Sequence, residues 1–291
     1  MDLISVLLVV GATLAWAVTW LLMRMGVGRM HWVDFGFLRP LISLPFIALY
    51  AWVTDGFVFG GIDLILVGLA GGILNAFIGT ALFYYAHTHG SMHETNILAN
   101  TGPFWGVVSA ILVLGEPARW VTFAAGGLVI AGTILLVRGK SSHGKAHHLP
   151  ALLAATAAGI VWGFSGAVPT KFCMTGGMSP IAYQLLFTLS AVLAWSIAIA
   201  PRFAKRKVRV ERKNLWIVVV SSVLGIVVGW ILWLAAIQRT DASLLAPLSG
   251  LTLLFAVALG VVFLRERVTA KILTGGSLVI AGVTLVSVLA R

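Results

Sequence analysis

Polar side chains able to bind a small solute are scattered through otherwise apolar stretches of this 291-residue sequence. They are hydroxyls and amides, and several lie close to tryptophans. Such groups can hydrogen-bond both an ammonium and a carboxylate without leaving a permanent charge buried. They predict a site for a zwitterionic or neutral solute. The candidates are Trp16, Thr19, Trp20, Asn75, Asn96, Asn100, Trp162, Ser165, Tyr183 and Ser249.

The spacing of these side chains places some of them on one helical face. Residues three and four apart lie on the same side of a helix, so Trp16, Thr19 and Trp20 form one stripe. Asn96 and Asn100 are related in the same way. Two readings stay open for the asparagines, because amides in apolar helices either bind a solute or hold neighbouring helices together.

Three prolines inside the apolar stretches, Pro103, Pro169 and Pro247, are candidate hinges. A proline inside a helix removes one backbone hydrogen bond and bends the helix. In a membrane carrier such a break can turn free carbonyls toward a cavity. We therefore expect the three prolines to bend gating helices, with a passive packing kink as the alternative.

Charged groups are expected to avoid the middle of the membrane. All nine acidic residues lie at or near the ends of apolar stretches. Proton-driven exporters of lipophilic cations usually bury a carboxylate, and this chain offers no obvious one. Arg39 and Lys171 lie within a turn or two of stretch ends, where long side chains can reach the interface. The predicted cleft is therefore uncharged, which disfavours nucleotide-linked sugars and phosphorylated metabolites as solutes.

Composition identifies the elements that must hold these groups. Hydrophobic residues make up 60% of the chain and charged residues 10%, unlike a soluble domain. A membrane-spanning helix needs about 20 apolar residues. We predict an all-α integral membrane protein with ten transmembrane helices. They lie at roughly 3–23, 33–53, 63–85, 94–114, 119–138, 149–171, 179–200, 214–237, 242–264 and 269–290.

The sequence contains an internal repeat. The string at 128–132 recurs at 278–282, and Glu116 and Glu266 each lie twelve residues before their copy of the string. Five spans per copy is an odd number, so the second copy must cross the membrane in the opposite direction. We predict two inverted five-helix repeats, 1–138 and 149–291, joined by a polar linker at 139–148. They surround a central cavity, as in a transporter that works by alternating access.

Positive charge predicts the orientation. Of the 20 lysines and arginines, sixteen fall on the side opposite the predicted termini. Cytoplasmic loops carry such an excess, so we expect cytoplasmic basic loops, both termini outside and no nucleic-acid partner. The partners predicted are a small-molecule substrate and the lipid bilayer. Glycines in the fifth and tenth spans favour packing within the chain, and a monomer is expected, with a dimer face as the alternative.

Clustered histidines raise one alternative, a membrane metalloenzyme. His87, His89 and His93 form one set, and the linker adds His143, His147 and His148. No carboxylates accompany them, and a loose linker suits a fixed metal geometry poorly. We therefore expect a protein that is not an enzyme and has no cofactor.

The order of several short motifs resembles the drug/metabolite transporter superfamily in its ten-span EamA-type branch. The resemblance covers nearly the whole chain. The motifs are Ala15-Trp16-Ala17, Val161-Trp162-Gly163, Pro103 before Gly115-Glu116-Pro117, and Leu264-Arg265-Glu266-Arg267. It implies two inverted halves around a cavity and, through similarity to amino-acid exporters of the YddG kind, amino-acid export across the bacterial inner membrane. The stretch 96–103 lacks the large aromatic residues pictured in exporters of aromatic amino acids, which favours a broader or smaller substrate range.

Overall fold

A computed structural model describes residues 2–26, 30–54, 56–89, 95, 98–137, 149–208, 212–264 and 270–289. The first half contains α1 (Leu3–Gly26), α2 (Trp32–Val53), α3 (Ile62–Gly72, Ile73–Gly79 and Thr80–His89), α4 (Gly102–Leu114) and α5 (Trp120–Val137). The second contains α6 (Leu149–Thr175), α7 (Pro180–Ala204), α8 (Arg212–Ser222, Val223–Val228 and Gly229–Arg239), α9 (Ala242–Leu245, Ala246–Gly250 and Leu251–Leu264) and α10 (Ala270–Leu289). The predicted linker at 139–148 lies outside the described residues.

The described part of the chain is helical and contains no strand. Seven helices are long and apolar enough to cross a membrane: α1, α2, α3, α6, α7, α8 and α9. Shorter apolar helices at Gly102–Leu114, Trp120–Leu135 and Leu273–Leu285 belong to α4, α5 and α10. The prediction of an all-helical membrane protein is confirmed. The count of ten spans and their inverted arrangement stay predictions.

The most extensive helix contacts join the two halves. Helix α5 packs along α10, α4 along α6, α2 along α7, and α1 against both α8 and α9. The repeated string takes part, because a Cβ at Gly132 would lie 2.6 Å from the carbonyl oxygen of Gly275. Glycines in this pair thus bring α5 and α10 close together within one chain. One buried apolar cluster contains residues of both halves, among them Val9, Ala125, Trp233 and Leu248.

Three helices change their winding in mid-course. Ile73–Gly79 and Val223–Val228 are π-helical segments of α3 and α8, and Ala246–Gly250 is a 3₁₀ segment of α9. A π-helical turn shifts the following side chains around the axis and is frequent at functional sites. The 3₁₀ segment contains Pro247. Pro103 is the second residue of α4 and Pro169 lies inside α6. The prediction was that Pro103 bends a continuous helix. Pro103 instead lies in the first turn of α4, where a missing N–H costs no helical hydrogen bond.

One end of the bundle, here named the terminal face, is tied together by polar contacts around the α8–α9 connection. The carboxylate of Glu116 accepts hydrogen bonds from the backbone N–H groups of Ala242 and Ser243, each at 2.8 Å. Lys171 Nζ donates to the carbonyl oxygen of Thr240 at 2.8 Å, and the Thr240 hydroxyl donates to Ser5 Oγ at 3.0 Å. Together these bonds connect α1, α6 and α9 at this end.

Asp2 extends the contacts of the terminal face. Its carboxylate lies 3.4 Å from Arg239 Nε. A hydrogen bond from the Ser5 side chain, assisted by Arg239, holds the pKa of Asp2 below its usual range. At the opposite end, Arg202 makes a two-pronged bond to Asp34, at 2.6 and 2.9 Å. That pair joins α2 to α7.

Candidate functional site

A central cavity of about 270 Å³ lies between helices of both halves. Its lining comes from the second halves of α1 and α3, the first half of α2, the start of α4 with the two residues Ala99 and Asn100 before it, and the middle of α6, α8 and α9. Thr133 of α5 and Phe187 of α7 complete it. These segments place it at mid-bundle and toward the end opposite the terminal face. Its size is near the lower limit of small-molecule sites, about 300–1,000 Å³, so it suits a small solute.

Most of the side chains predicted to bind the solute line this cavity. They are Trp16, Thr19, Trp20, Asn75, Asn100, Trp162 and Ser249, together with the predicted hinge Pro103. Asn96 lies outside the described residues. Substrate contact by the lining residues stays a prediction, as does gating by the prolines.

Two predicted solute contacts are buried outside the cavity lining. Tyr183 is 0% exposed in the apolar core, where it contacts Phe187 at 6.1 Å between ring centroids. Ser165 is also 0% exposed, and its hydroxyl accepts a hydrogen bond from Asn75 Nδ2 at 2.8 Å. Tyr183 therefore lies outside the cavity lining in this structure, and its contact with a solute stays a prediction. Ser165 instead contacts Asn75, which does line the cavity. Pro169 and Pro247 are likewise buried outside the lining.

Aromatic side chains that the sequence did not single out complete the wall. Trp230 and Trp233 of α8 line the cavity and pack against Trp16, with ring centroids 5.9 and 5.7 Å away. Phe187 lies 4.6 Å from Trp230. Across the cavity, Trp162 packs against Phe83 at 5.0 Å. The one sequence signal that could have identified them is their spacing at i and i+3, which puts both rings on one face of a helix.

The two predicted tryptophans make the same hydrogen bond in opposite halves. Trp16 Nε1 donates to the carbonyl oxygen of Gly225 at 3.0 Å, and Trp162 Nε1 donates to that of Asn75 at 3.1 Å. Each acceptor lies in a π-helical segment of the other half. The acceptors are 150 residues apart, which is the spacing of the repeated string.

Each indole lies against a glycine. A Cβ at Gly229 would stand 2.5 Å from Trp16 Nε1, and one at Gly79 would stand 2.6 Å from Trp162 Nε1. These glycines are also 150 residues apart. Trp16, Trp162, Gly79 and Gly229 are together named the indole frame. A side chain larger than glycine at either position must displace an indole.

Beside the indole frame the halves differ in polarity. In the first half, the Asn75 amide hydrogen-bonds Ser165, which follows Trp162 by three residues. At the matching place in the second half Gly225 has no side chain, and a Cβ there would lie 2.7 Å from Arg39 Nη2. A guanidinium therefore occupies the position that an amide has on the other side.

The placement of Arg39 corrects the prediction that its side chain reaches the interface. Arg39 lines the cavity, and its Nη2 donates to the carbonyl oxygen of Ser221 at 3.3 Å. Its guanidinium carbon lies 5.4 Å from the centroid of the Phe35 ring. The buried residues Phe35, Gly36, Pro40 and Ser43 show that this face of α2 points into the bundle. The cavity is therefore not uncharged, and no acidic residue is among its described lining.

The histidine sets gain no support as a metal centre. His87 packs against Phe83 with ring centroids 4.1 Å apart, and His89 stacks on Tyr85 at 4.2 Å. His93, His143, His147 and His148 lie outside the described residues. Among the residues that are described, no group of His, Cys, Asp and Glu could hold a metal ion.

Comparisons with known proteins agree with this architecture. The model of the EamA-like transporter family matches residues 3–138 and again residues 149–288. The alignment with a solved crystal structure covers 99% of this chain and 97% of the chain in that structure, with a TM-score of 0.84 and 18% sequence identity. At this identity the match shows the fold alone. An uncharacterized protein of Methanocaldococcus jannaschii is 35% identical over 78 residues, or 27% of this chain. This match spans 56% of that relative's length.

Proposed function

The chain belongs to the EamA-like transporter family, and we propose that it is a secondary transporter for amino acids or similar small zwitterionic metabolites. The supporting observation is the central cavity, which has aromatic walls, an amide on one side and a guanidinium on the other. A zwitterion carries groups that suit all three. The seven long apolar helices make the protein a multi-pass membrane protein, and the proposed location is the bacterial inner membrane.

The cavity offers distinct partners to the two ends of an amino acid. Because Asn75 Nδ2 donates to Ser165 Oγ, its Oδ1 is the amide atom left to accept a hydrogen bond from an ammonium. The faces of Trp16 and Trp162 attract the same cation through the ring quadrupole. An apolar substrate side chain packs against Trp230 and Trp233. Asn75 and the tryptophans thus bind the ammonium, and Ser165 orients the Asn75 amide.

The proposed mechanism is alternating access, which is typical of transporters built from inverted repeats around one site. Polar contacts tie the terminal face, including the bonds from Glu116 to Ala242 and Ser243, whereas the cavity extends toward the other end. Basic loops place that other end in the cytoplasm. The described state then faces inward, ready to load a solute for export. Pro169 and Pro247 are the proposed hinges for the change to the outward-facing state.

Uptake into proteoliposomes tests this proposal. Purified protein should move labelled neutral amino acids, and Trp16→Ala or Trp162→Ala should reduce the rate by at least about tenfold at equal reconstitution, because each removes a cavity wall and an interhelical bond. Trp120→Ala is the matched control, since this side chain is 69% exposed. Transport of some other solute class and of no amino acid would overturn the substrate assignment.

Arg39 in the cavity favours a second candidate, a carrier for phosphorylated metabolites. Guanidinium groups bind phosphate through paired hydrogen bonds. Competition separates the candidates: sugar phosphates and nucleotide-linked sugars should leave amino-acid uptake unchanged if the first proposal is correct, and should inhibit it strongly if the second is.

A further inference from the structure

We propose that Arg39 binds the carboxylate of the transported solute and so restricts the cavity to solutes that carry one. This inference rests on the proposed function, because it takes the central cavity as the transport site. It goes further by naming the charged group that the site recognises and the residue that recognises it. It also replaces the predicted uncharged cleft with a site that has one positive end.

The charge of Arg39 lacks an internal counter-ion. Among the described residues, no carboxylate lies within ion-pair distance of its guanidinium, and the nearby Asp34 is engaged by Arg202 at 2.6 Å. A cation within a membrane segment is costly, so such residues face a cavity, pair with another group, or mark a solute pathway. Arg39 faces the cavity. The carboxylate of the solute supplies the missing negative charge during each transport cycle.

The guanidinium also has unused hydrogen-bonding capacity. It carries five N–H donors. The described structure gives it two hydrogen-bonding neighbours, the carbonyl oxygen of Ser221 at 3.3 Å from Nη2 and the side chain of Tyr84. Its buried Nε has no partner. The Ser221 contact and the Phe35 ring hold the group in place. A fixed, planar fork with free donors matches the two oxygens of a carboxylate.

The asymmetry beside the indole frame gives the solute a direction. Asn75 presents an amide oxygen at one position, and Arg39 occupies the space above Gly225 at the matching position of the other half. The first attracts a donor such as an ammonium, and the second attracts an acceptor with negative charge. A zwitterion therefore binds in one orientation across the two halves.

A carboxylate fits this site better than a phosphate. A phosphate monoester carries roughly −1.5 to −2 charges at neutral pH, whereas a carboxylate carries one. Arg39 is the one lysine or arginine among the described residues that line the cavity. Its single charge matches a carboxylate and leaves a phosphate partly uncompensated.

Masking the carboxylate tests the proposal on the unaltered protein. The protein is reconstituted into proteoliposomes, and uptake of labelled leucine, alanine and serine is measured. The competitor is the same amino acid, unlabelled, either as the free acid or as its amide. The two competitors differ only in the carboxylate, which the amide lacks. We expect the amides to compete about 10- to 100-fold more weakly, the range for a charge-assisted bond.

Variants then assign that selectivity to one residue. Arg39→Gln should raise the KM for amino acids about 10- to 100-fold and remove the preference for acid over amide. Arg39→Lys should keep part of the preference, because it retains the charge but not the fork. Lys171→Gln is the matched control, since Lys171 bonds to Ile237 and Thr240 and not to the cavity. It should leave the acid preference unchanged.

The outcomes separate the inference from the proposed function. Unchanged KM and an intact acid preference in Arg39→Gln would overturn the role of Arg39 while leaving amino-acid transport standing. Failure of the wild-type chain to move any amino acid would overturn the proposed function itself. Inhibition by sugar phosphates that exceeds inhibition by carboxylates and is lost in Arg39→Gln would overturn the carboxylate assignment. If Arg39→Gln elutes as aggregate, Arg39→Lys and the acid–amide comparison on the wild-type chain decide.

Discussion

The two halves of the protein make the same tryptophan contact, but the side chains next to that contact differ in polarity. In each half a tryptophan reaches a carbonyl oxygen in a π-helical segment of the other half, over a glycine that leaves room for the indole. One step away, the first half has the Asn75 amide and the second has Gly225 covered by Arg39. The comparison teaches that the shared contact holds the helices of the two halves together, whereas the differing side chains are the ones proposed to select the solute.

The indole frame should be the most sensitive part of this comparison. Gly79→Ala and Gly229→Ala each force a Cβ to within 2.6 and 2.5 Å of an indole nitrogen. We expect each variant to lower the free energy of unfolding by about 1–3 kcal/mol and to abolish transport. Thermal unfolding in detergent and uptake assays measure the two effects.

The control for the glycine variants is Gly126→Ala, because a Cβ there meets nothing within 4 Å. It should unfold like the wild type. A large effect from only one of the two frame glycines would show that the halves are not equivalent at this contact.

Replacing either indole by a phenyl ring removes the N–H donor and should lower the free energy of unfolding by less than the glycine variants do. The loss should also differ between the two halves. In Trp162→Phe the carbonyl of Asn75 keeps a hydrogen bond from Thr80 Oγ1 at 3.2 Å. In Trp16→Phe the carbonyl of Gly225 retains no side-chain donor among the described residues. We expect losses of about 1–2 kcal/mol for Trp16→Phe and about 1 kcal/mol or less for Trp162→Phe.

Chemical denaturation in mixed micelles measures this difference, with Trp120→Phe as the control on a side chain that is 69% exposed. If Trp162→Phe were the more damaging variant, the Thr80 hydroxyl would not compensate as described.

The smallest expected effect comes from making the first half resemble the second. Asn75→Gly removes the amide that is proposed to accept a hydrogen bond from the substrate ammonium. We expect the KM for amino acids to rise about 2- to 5-fold, as for one neutral hydrogen bond, with acid-over-amide preference intact because Arg39 remains. Thr156→Ala is the control, since that hydroxyl bonds only within α6, to Leu152. Loss of the acid preference in Asn75→Gly would contradict separate roles for the two sites.

Sequence reasoning recovered the membrane class and much of the cavity wall. Composition is enough for the first, because apolar stretches of this length have few other solutions. Trp16, Asn75 and Trp162 were found because tryptophans and amides are conspicuous in apolar helices. Their shared hydrogen-bond pattern was not visible, since the acceptors are backbone carbonyls with no sequence signature.

The errors have a common physical origin. A membrane helix is apolar all round, so its sequence does not reveal which face turns inward. Trp230 and Trp233 were therefore overlooked, and the burial of Tyr183 outside the cavity lining was not foreseen. Arg39 was assigned to the interface by its closeness to a helix end, a rule that applies to helices whose flank is open to headgroups.

The pairing of helices across the halves, such as α5 with α10 and α4 with α6, has a consequence for biosynthesis. Helices α5 and α10 begin 150 residues apart, at Trp120 and Ala270, so a ribosome adding about 5–20 residues per second needs roughly 7–30 seconds to deliver the partner of α5. Throughout that interval the newly inserted segments face lipid or the insertion machinery with the surfaces they later bury. The surface of α5 that packs on α10 is therefore buried only after nearly the whole chain has been made.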